Sequence, residues 1–272
     1  MNTRHDLSGR AFGDVDGTGY TASFVAYLDS ATQQFRSLKQ CSLERLDLGA
    51  GDNALDVGCG LGDDIRGLAG LVGLTGHVIG VDSSQALLAE CRRRSADVPF
   101  PVRFVAADAH HLPFANNLFT ACRADRVLQH LRNPVQALRE MVRVVRPGGR
   151  VSVVDRDWSL VALDADDGKT TQFVLKRIAD GIRNAWVGRS LHALFLEVGI
   201  EPVIEPVSIP LFDLNVADTL LDLVIVANNA VTEGGLDKAA VTSWLTELKD
   251  RDRTGRFSAA LTLVIASGIR RL

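Results

Sequence analysis

The sequence has little of several features that define particular protein classes. Only four cysteines occur in 272 residues, and none forms a C-x-x-C pair. This spacing disfavours a disulfide scaffold or a zinc site, so we expect no bound metal. No apolar run reaches the ~18 residues of a membrane-spanning helix, and residues 1–20 lack the apolar core of a signal peptide. These absences favour a soluble, cytoplasmic protein without a membrane partner.

The sequence also has no large excess of positive or negative charge. The 33 acidic residues nearly balance the 30 lysines and arginines, which leaves a net charge of -3. The basic run Arg92 to Arg94 has no interleaved aromatic residues and is typical of a solvated helix face. Because nucleic-acid binding needs a basic patch, the composition predicts no nucleic-acid partner.

Between residues 50 and 157, short apolar segments alternate with helical patterns. The predicted strands are Ala54–Val57, His77–Val81, Val102–Ala106, Phe119–Ala124 and Arg150–Asp155. The predicted helices are Asp64–Leu71, Ser84–Ser95 and Pro134–Val145. This alternation implies parallel strands joined by right-handed crossovers. We therefore predict an α/β fold with a doubly wound sheet.

The two ends of the chain follow other patterns. Residues 1–49 are expected to form an N-terminal lid and a helix, the latter from about Ser23 to Leu48. Residues 158–255 are expected to form a substrate-binding cap with edge elements, after an acidic, irregular stretch from Asp157 to Lys169. Residues 256–272 are expected to hold the last core strand, Phe257–Ile269. The predicted cap elements are helices at Thr170–Ala185, Arg189–Val198, Val216–Asn229 and Leu236–Asp250, and an edge or irregular strand at Ile200–Phe212.

A glycine motif, Gly58 to Gly62, joins the first predicted strand to the next helix. Glycine allows positive φ and close approach of the backbone to a ligand, although a plain tight turn would use the same residues. Dinucleotide-binding loops read G-x-G-x-x-G, whereas this chain has Asp63 at the third glycine position. Asp63 and Asp64 would repel a phosphate, and we expect no nearby Lys or Arg to offset their charge. The loop therefore favours a ligand that carries an ammonium or sulfonium cation.

Three carboxylates end or approach three consecutive predicted strands. Asp82 is placed to accept hydrogen bonds from ribose hydroxyls, and Asp108 to accept one from an adenine amino group. Asp56 lies in the first strand, next to the glycine motif. Capping of a helix by Asp82 and a turn at Asp108 are the structural alternatives. Three like charges at one sheet edge favour a ligand that uses all of them.

Four segments resemble, in order and spacing, the class I S-adenosylmethionine-dependent methyltransferases: "LDVGCGLG", "VIGVDSS", "ADAHHLPF" and "VVRPGGRVSVVD". The small-molecule branch is the most similar, with its ubiquinone/menaquinone C-methyltransferases and natural-product methyltransferases. The resemblance covers about residues 50–157 and, more loosely, Phe257–Ile269. It implies a Rossmann-like, mostly parallel seven-stranded sheet with an antiparallel last strand, and S-adenosyl-L-methionine as cofactor.

The resemblance also implies a set of cofactor-binding residues. Asp56 and the glycine motif would hold the methionine end, Asp82 and Ser83 the ribose, and Asp108 and Ala109 the adenine. The segment Ala124 to Gln129 would lie beside the transferable methyl group. The resulting candidates are Asp56, Gly58, Cys59, Gly60, Gly62, Asp82, Ser83, Asp108, Ala109, Ala124 and Gln129. Thr120 and Arg123 depart from the family pattern in the fourth strand. We expect neither residue to contact the predicted cofactor-binding residues.

Methyl transfer from a sulfonium is an in-line displacement that depends mainly on positioning. A base is needed only where the nucleophile must lose a proton. His130 is the candidate base, and a histidine bonded to backbone at a helix start is the alternative. The candidates for acceptor binding are Tyr20, Arg126, His111, Trp158 and Trp186, for which core packing or ion pairing is the alternative.

The sequence thus predicts methyl transfer to a C, O or N atom of a small-molecule acceptor. The sizeable, partly apolar cap favours a specialised natural product over a quinone precursor, which stays an alternative. A nicotinamide-dependent oxidoreductase and a non-catalytic cofactor-binding module compete with this prediction. The sequence leaves a homodimer open.

Overall fold

The computed structural model describes Phe12 and residues 14–97 and 99–271. Within these residues, seven strands form one sheet in the order β3-β2-β1-β4-β5-β7-β6. The strands are β1 (Asn53–Val57), β2 (His77–Asp82), β3 (Val102–Ala106), β4 (Phe119–Asp125), β5 (Val145–Leu163), β6 (Val203–Leu211) and β7 (Ala259–Ile269). The first five strands are parallel, and β7 is antiparallel to both of its neighbours. The predicted doubly wound sheet with an antiparallel last strand is therefore confirmed.

Helices cover both faces of this sheet and extend beyond it. They are α1 (Val15–Thr18), α2 (Thr21–Gln34), α3 (Arg36–Glu44), α4 (Asp63–Val72), α5 (Gln85–Arg94), α6 (Pro134–Val144), α7 (Gly168–Gly181), α8 (Val187–Glu197), α9 (Leu214–Leu221), α10 (Leu223–Thr232) and α11 (Lys238–Arg253). Ala54 packs with α4 residues, whereas the adjacent Leu55 packs in the cluster that contains α6 and α8. Because successive side chains of a strand point to opposite faces, two cores flank the sheet.

The fifth strand is much longer than predicted. The strand continues to Leu163. The prediction of an irregular stretch is therefore wrong for the residues from Asp157 to Leu163. The reason is a partner distant in sequence: β7 pairs with β5 as far as Leu163 and Ala259. The Asp157 charge is compensated by a salt bridge with Arg189. The expected boundary between core and cap at residue 157 falls inside this strand.

Two predicted helices are each interrupted. The pattern from Ser23 to Leu48 forms α2 and α3, which are separated at the buried Phe35. The pattern from Val216 to Asn229 forms α9 and α10, which are separated at Asp222, a residue with φ of 56°. Among the described residues, no single helix is long and apolar enough to cross a membrane. Helices α9 and α10 have the required length and apolar character only when taken together, and the pair is bent by 60°.

The cap shares its core with the extended end of the sheet. Trp244 of α11 packs in one buried cluster with Val174 of α7, Leu220 of α9 and Leu261 of β7. The indole N–H of Trp244 donates to the Thr171 hydroxyl at 2.9 Å. The cap helices therefore pack directly on the last strand of the sheet.

Candidate active site

A cavity of about 590 Å³ lies at the carboxyl ends of β1, β2 and β4. The topology explains this position, because the strand order reverses between β1 and β4 and ligands of such sheets bind at that point. The predicted residues that line the cavity are Asp56, Gly58, Cys59, Gly60, Asp82, Ser83, Asp108, Ala109, Arg126, Gln129 and His130. The structure therefore brings together most of the residues that were predicted for one ligand.

Two predicted cofactor residues are not among the described residues that line the cavity. Gly62 begins α4 with φ of 77°, and a Cβ there would lie 2.3 Å from the Cys91 sulfur. Its glycine character is thus explained by packing against α5. Ala124 is fully buried in β4, where it pairs with Val57. Both residues therefore pack next to elements that line the cavity and do not line it themselves.

The glycine loop is held against the end of β2. The backbone N–H groups of Gly58 and Cys59 donate to the Val81 carbonyl at 2.7 and 2.9 Å. The Asp82 carboxylate accepts from Gly60 N–H at 2.9 Å. Gly58 has φ of 72°, and a Cβ there would lie 2.4 Å from Val127 Cγ2. Only glycine therefore lets the loop after β4 approach this closely.

A buried ion network lies beneath the loop. Arg123, which is 1% exposed, contacts Asp64 at 2.6 Å, Asp125 at 3.4 Å and Asp56 at 3.8 Å. Lys39 of α3 contacts Asp64 at 2.5 Å and Asp125 at 3.2 Å. The expectation that no cation offsets Asp64 is therefore wrong. Arg123 also reaches Asp56 of the cofactor-binding pattern, contrary to prediction, because β4 lies beside β1 and Arg123 is in register with Asp56.

The network gives its carboxylates different pKa values. Burial raises the pKa of Asp56 to about 7, and the attraction of Arg123 offsets only part of this effect. Burial also opposes ionisation of Asp125, but Arg126, Lys39 and Arg123 together hold its pKa well below the usual range. Asp56 is thus the carboxylate whose ionisation a bound ammonium group would most favour.

The turn after β4 is positioned by residues from β5 and the cap. The Gln129 side-chain oxygen accepts from the Trp158 indole N–H at 2.7 Å, and its backbone N–H donates to Asp155 at 3.2 Å. Asn184, between α7 and α8, donates to the carbonyls of Leu128 and Leu131 at 2.9 and 2.7 Å. Trp158 therefore has a polar role that the sequence did not indicate. Asn184 was missed because no local pattern relates it to a turn so far away.

Helix α1 packs on the start of α5 beside the cavity, which Val15 lines. Asp16 of α1 accepts from the backbone N–H groups of Gln85 and Ala86 at 2.8 and 3.3 Å, and also from the Ser84 hydroxyl. The hydrogen bond from Ser84 is the largest cause of the lowered pKa of Asp16. A carboxylate at the start of a helix also interacts favourably with the helix dipole. These contacts dock α1 on α5.

A second cavity of about 340 Å³ adjoins the first one. Phe12, Tyr27, Gln129 and His130 line both cavities, and Trp158 lines the second. Phe12 stacks on the His130 ring with centroids 4.8 Å apart, and its edge contacts Tyr27. The candidate base therefore lies where the two cavities meet. Sequence reasoning missed Tyr27 because it follows the same helical spacing as core residues of α2.

Three predicted acceptor-binding residues are not brought to either cavity, as far as the described residues show. Tyr20 starts α2 and is 42% exposed, and Trp186 starts α8 and is 59% exposed. His111 lies in the exposed loop after Asp108. Asp108 itself lines the cavity and also accepts a hydrogen bond from His110 N–H at 2.9 Å. Arg126 lines the cavity and donates to Asp125 at 2.9 Å.

Substitution Arg123→Met should strongly destabilise the fold. It leaves Asp56, Asp64 and Asp125 buried without their shared cation, so we expect the free energy of unfolding to fall by about 3–5 kcal/mol. Urea denaturation measures this loss. The control Arg139→Met removes an ion pair with Glu197 that is about half exposed, and should cost less than ~1 kcal/mol. Equal losses in the two variants would contradict the role of the network.

Substitution Asp155→Asn should change how stability depends on pH. Burial raises the pKa of Asp155 to about 7, so between about pH 4 and pH 7 the folded state binds a proton that the unfolded chain has released. The contribution of Asp155 to stability therefore falls as pH rises through this window, whereas carboxylates with lowered pKa values act in the opposite direction. Asparagine removes the Asp155 contribution, so across this window the variant should gain stability relative to the native protein by on the order of a few kcal/mol. Urea denaturation across pH, with exposed Asp180→Asn as control, measures the difference; identical pH profiles would refute it.

The chain is similar to known proteins over different lengths. A methyltransferase domain model matches residues 55–153. A 37.1 kDa protein in transposon Tn4556 of Streptomyces fradiae is 38% identical over 95% of this chain and 73% of its own length. Methyltransferase GfsG of Streptomyces halstedii is 42% identical over 41% of this chain and 40% of its own length. A 2-phytyl-1,4-naphtoquinone methyltransferase of Thermosynechococcus vestitus is 40% identical over 43% of this chain. The match covers 52% of that enzyme, so the chain spans about half the length, or less, of the two methyltransferases.

Solved structures share the fold at low identity. Protein BH2331 of Bacillus halodurans C-125 superimposes with a TM-score of 0.62 at 18% identity, and the match covers 87% of this chain and all of that one. In this chain, the matched domain contains the glycine loop, the acidic strand ends and the turn after β4. The chain therefore belongs to the class I S-adenosylmethionine-dependent methyltransferases.

Proposed function

We propose that this protein transfers a methyl group from S-adenosylmethionine to a C, O or N atom of a small organic acceptor. One observation carries the proposal: the cavity at the strand ends opens onto a second cavity at Gln129 and His130. The first cavity suits the cofactor, and the second offers a separate space for an acceptor. The net charge of -3 supports a small molecule rather than a nucleic acid.

The residues of the first cavity fit this cofactor. The Gly58 to Gly60 loop presents backbone without side chains, and Asp56 would face the ammonium group of the methionine end. Asp82 would accept hydrogen bonds from the ribose hydroxyls, and Asp108 with Ala109 would bind the adenine. The cofactor supplies a methyl group already activated by its sulfonium. The protein's contribution is therefore alignment and exclusion of water.

His130 would receive the proton that an O–H, N–H or C–H acceptor loses. Its place at the junction of the two cavities supports this role, and the Phe12 ring stacked on the imidazole limits its rotation and shields it from water. A well-placed base contributes roughly 10²–10⁴-fold to the rate. Gln129, whose side chain is hydrogen-bonded to Arg126 and Trp158, would keep this turn in place during transfer.

We favour a specialised natural product as acceptor, with a quinone precursor as the alternative. The second cavity is formed largely by cap residues, which provide a dedicated space beyond the cofactor domain. The similarity to GfsG supports the first choice, and the similarity to the naphtoquinone methyltransferase supports the second. All four cysteines are free thiols, which supports a reducing, cytoplasmic environment.

Cofactor binding should depend on Asp82. Substitution Asp82→Ala removes acceptors for the ribose and for Gly60 N–H, so affinity for S-adenosylhomocysteine should fall about 10- to 100-fold. Isothermal titration calorimetry measures this change. The exposed control Asp97→Ala should leave the affinity unchanged. If the unmodified protein took up no S-adenosylhomocysteine, the proposed function would be wrong.

Transfer itself should depend on His130. We expect His130→Ala to lower turnover roughly 10²–10⁴-fold while affinity for S-adenosylhomocysteine changes little. The measurement uses trideuteromethyl-labelled cofactor and mass spectrometry, with reduced menadione as the quinone-type probe and a small-molecule extract of the source organism. Labelled menadione would favour a quinone precursor as acceptor. Cofactor binding without any labelled product from either source would favour a non-catalytic binding module.

A further inference from the structure

The Arg156 side chain is an unusual feature of the wall between β5 and the second cavity. It is 2% exposed and stacks between Phe35 and Trp158, with its guanidinium carbon 5.1 and 4.7 Å from the two ring centroids. Its Nε and Nη2 atoms have no hydrogen-bond partner, and Nη1 donates only a long bond of 3.5 Å to the Leu220 carbonyl. A buried guanidinium with this little compensation is costly.

No carboxylate among the described residues lies within ion-pairing distance of Arg156. The adjacent Asp155 carboxylate accepts instead from the backbone N–H groups of Gln129 and Arg156. Arg126, whose guanidinium carbon also lies 5.0 Å from the Phe35 ring centroid, is paired with Asp125. The excess positive charge of this region therefore resides on Arg156.

Tyr27 connects this charge to the cavities. Its side chain packs against the cluster that contains Phe35, Trp158 and Leu220, the residues around Arg156, and it lines both cavities next to His130. Trp158 and Leu220, which contact Arg156, also line the second cavity. A guanidinium can only donate, so the phenol oxygen is the group through which Tyr27 would accept from it, and the phenol proton would stay available to donate elsewhere. Because Tyr27 lines both cavities, a partner for that proton would lie at the junction of the cavities.

We propose that Tyr27, with the Arg156 guanidinium behind it, binds an oxyanion of the acceptor where the two cavities meet. The inference rests on the proposed function, because the acceptor must lie beside the cofactor. The Tyr27 hydroxyl donates to the anionic oxygen, and Arg156 polarises that hydroxyl and balances the charge in a site of low dielectric. The acceptor class is an enol, a phenol or a carboxylic acid. In O-methylation the anionic oxygen attacks the methyl carbon as the carbon–sulfur bond breaks. In C-methylation of a phenol or enol the anionic oxygen supplies electron density to the attacking carbon, which then loses its proton to His130.

Matched nitrophenyl probes test this site without turnover. The protein saturated with S-adenosylhomocysteine is titrated with 4-nitrophenolate, 4-nitrobenzoate and the neutral ether 4-nitroanisole at a pH where the phenol is ionised. At least one anion should bind more tightly than the ether, by roughly tenfold or more. Preference for the phenolate identifies a phenol or enol, and preference for the benzoate identifies a carboxylic acid. Equal affinities for all three probes, or no binding of either anion, would overturn the proposal.

Substitutions then assign the preference to these residues. Tyr27→Phe and Arg156→Met should each reduce the affinity of the preferred anion about tenfold or more and leave that of the ether unchanged. Arg156→Lys keeps the positive charge and should retain part of the preference for the anion. It serves as the test variant if Arg156→Met fails to fold. Arg139→Met, a surface variant, should retain all of it.

The same titrations separate this inference from the proposed function. If Tyr27→Phe lowered the affinity for S-adenosylhomocysteine as much as the affinity for the anion, Tyr27 would bind the cofactor and the inference would be wrong. Unchanged anion affinity in Tyr27→Phe would also overturn it. Failure of the unmodified protein to bind S-adenosylhomocysteine would overturn the proposed function first.

Discussion

The buried contact between Arg123 and its three carboxylates is the interaction on which the site depends. The carboxylates come from β1, from the start of α4 and from the end of β4, and Lys39 adds a second cation from α3. Each of these charges would be prohibitively costly to bury alone. Together they join the glycine loop, the central strands and the N-terminal helices into one arrangement. The acidic residues near the loop are therefore structural partners as well as candidate ligands.

The second constraint is the continuation of β5 beyond the usual end of a strand at this edge. β7 pairs with β5 at Arg156 and again from Val161 to Leu163, so Asp157 and Trp158 lie in an irregularity between two paired segments. Trp158 then binds Gln129, and Asp157 binds Arg189 of α8. The cap is thus connected to the turn that carries His130. An acceptor in the second cavity would contact the sheet extension and the cap at the same time.

The wall of the second cavity combines these two constraints. Phe35, at the break between α2 and α3, contacts two guanidinium groups, Arg126 and Arg156. The first is neutralised by Asp125, which belongs to the Arg123 network, while the second has no such partner among the described residues. The break in the N-terminal helical pattern therefore coincides with the aromatic ring that both cations contact. Tyr27, on α2, lines both cavities.

The sequence by itself determined the parts of the protein that depend on neighbouring residues. The alternating strands and helices, the glycine motif and the acidic strand ends are local patterns, and parallel strands necessarily bring their ends to one edge. For this reason the fold and most of the first cavity were predictable, including Asp82, Asp108 and the position of His130.

Only the tertiary structure decided which distant residues complete the site. Arg123 looked like a departure in an apolar strand because its partners lie on three other elements. Tyr27 follows the same spacing as a core residue, and Asn184 lies in a segment with no motif. The prediction for Tyr20 and Trp186 relied on aromatic character and on position in the chain, which do not distinguish a side chain in a cavity from one on the surface. Long-range packing and charge compensation make that distinction, and neither leaves a periodic signal in the chain.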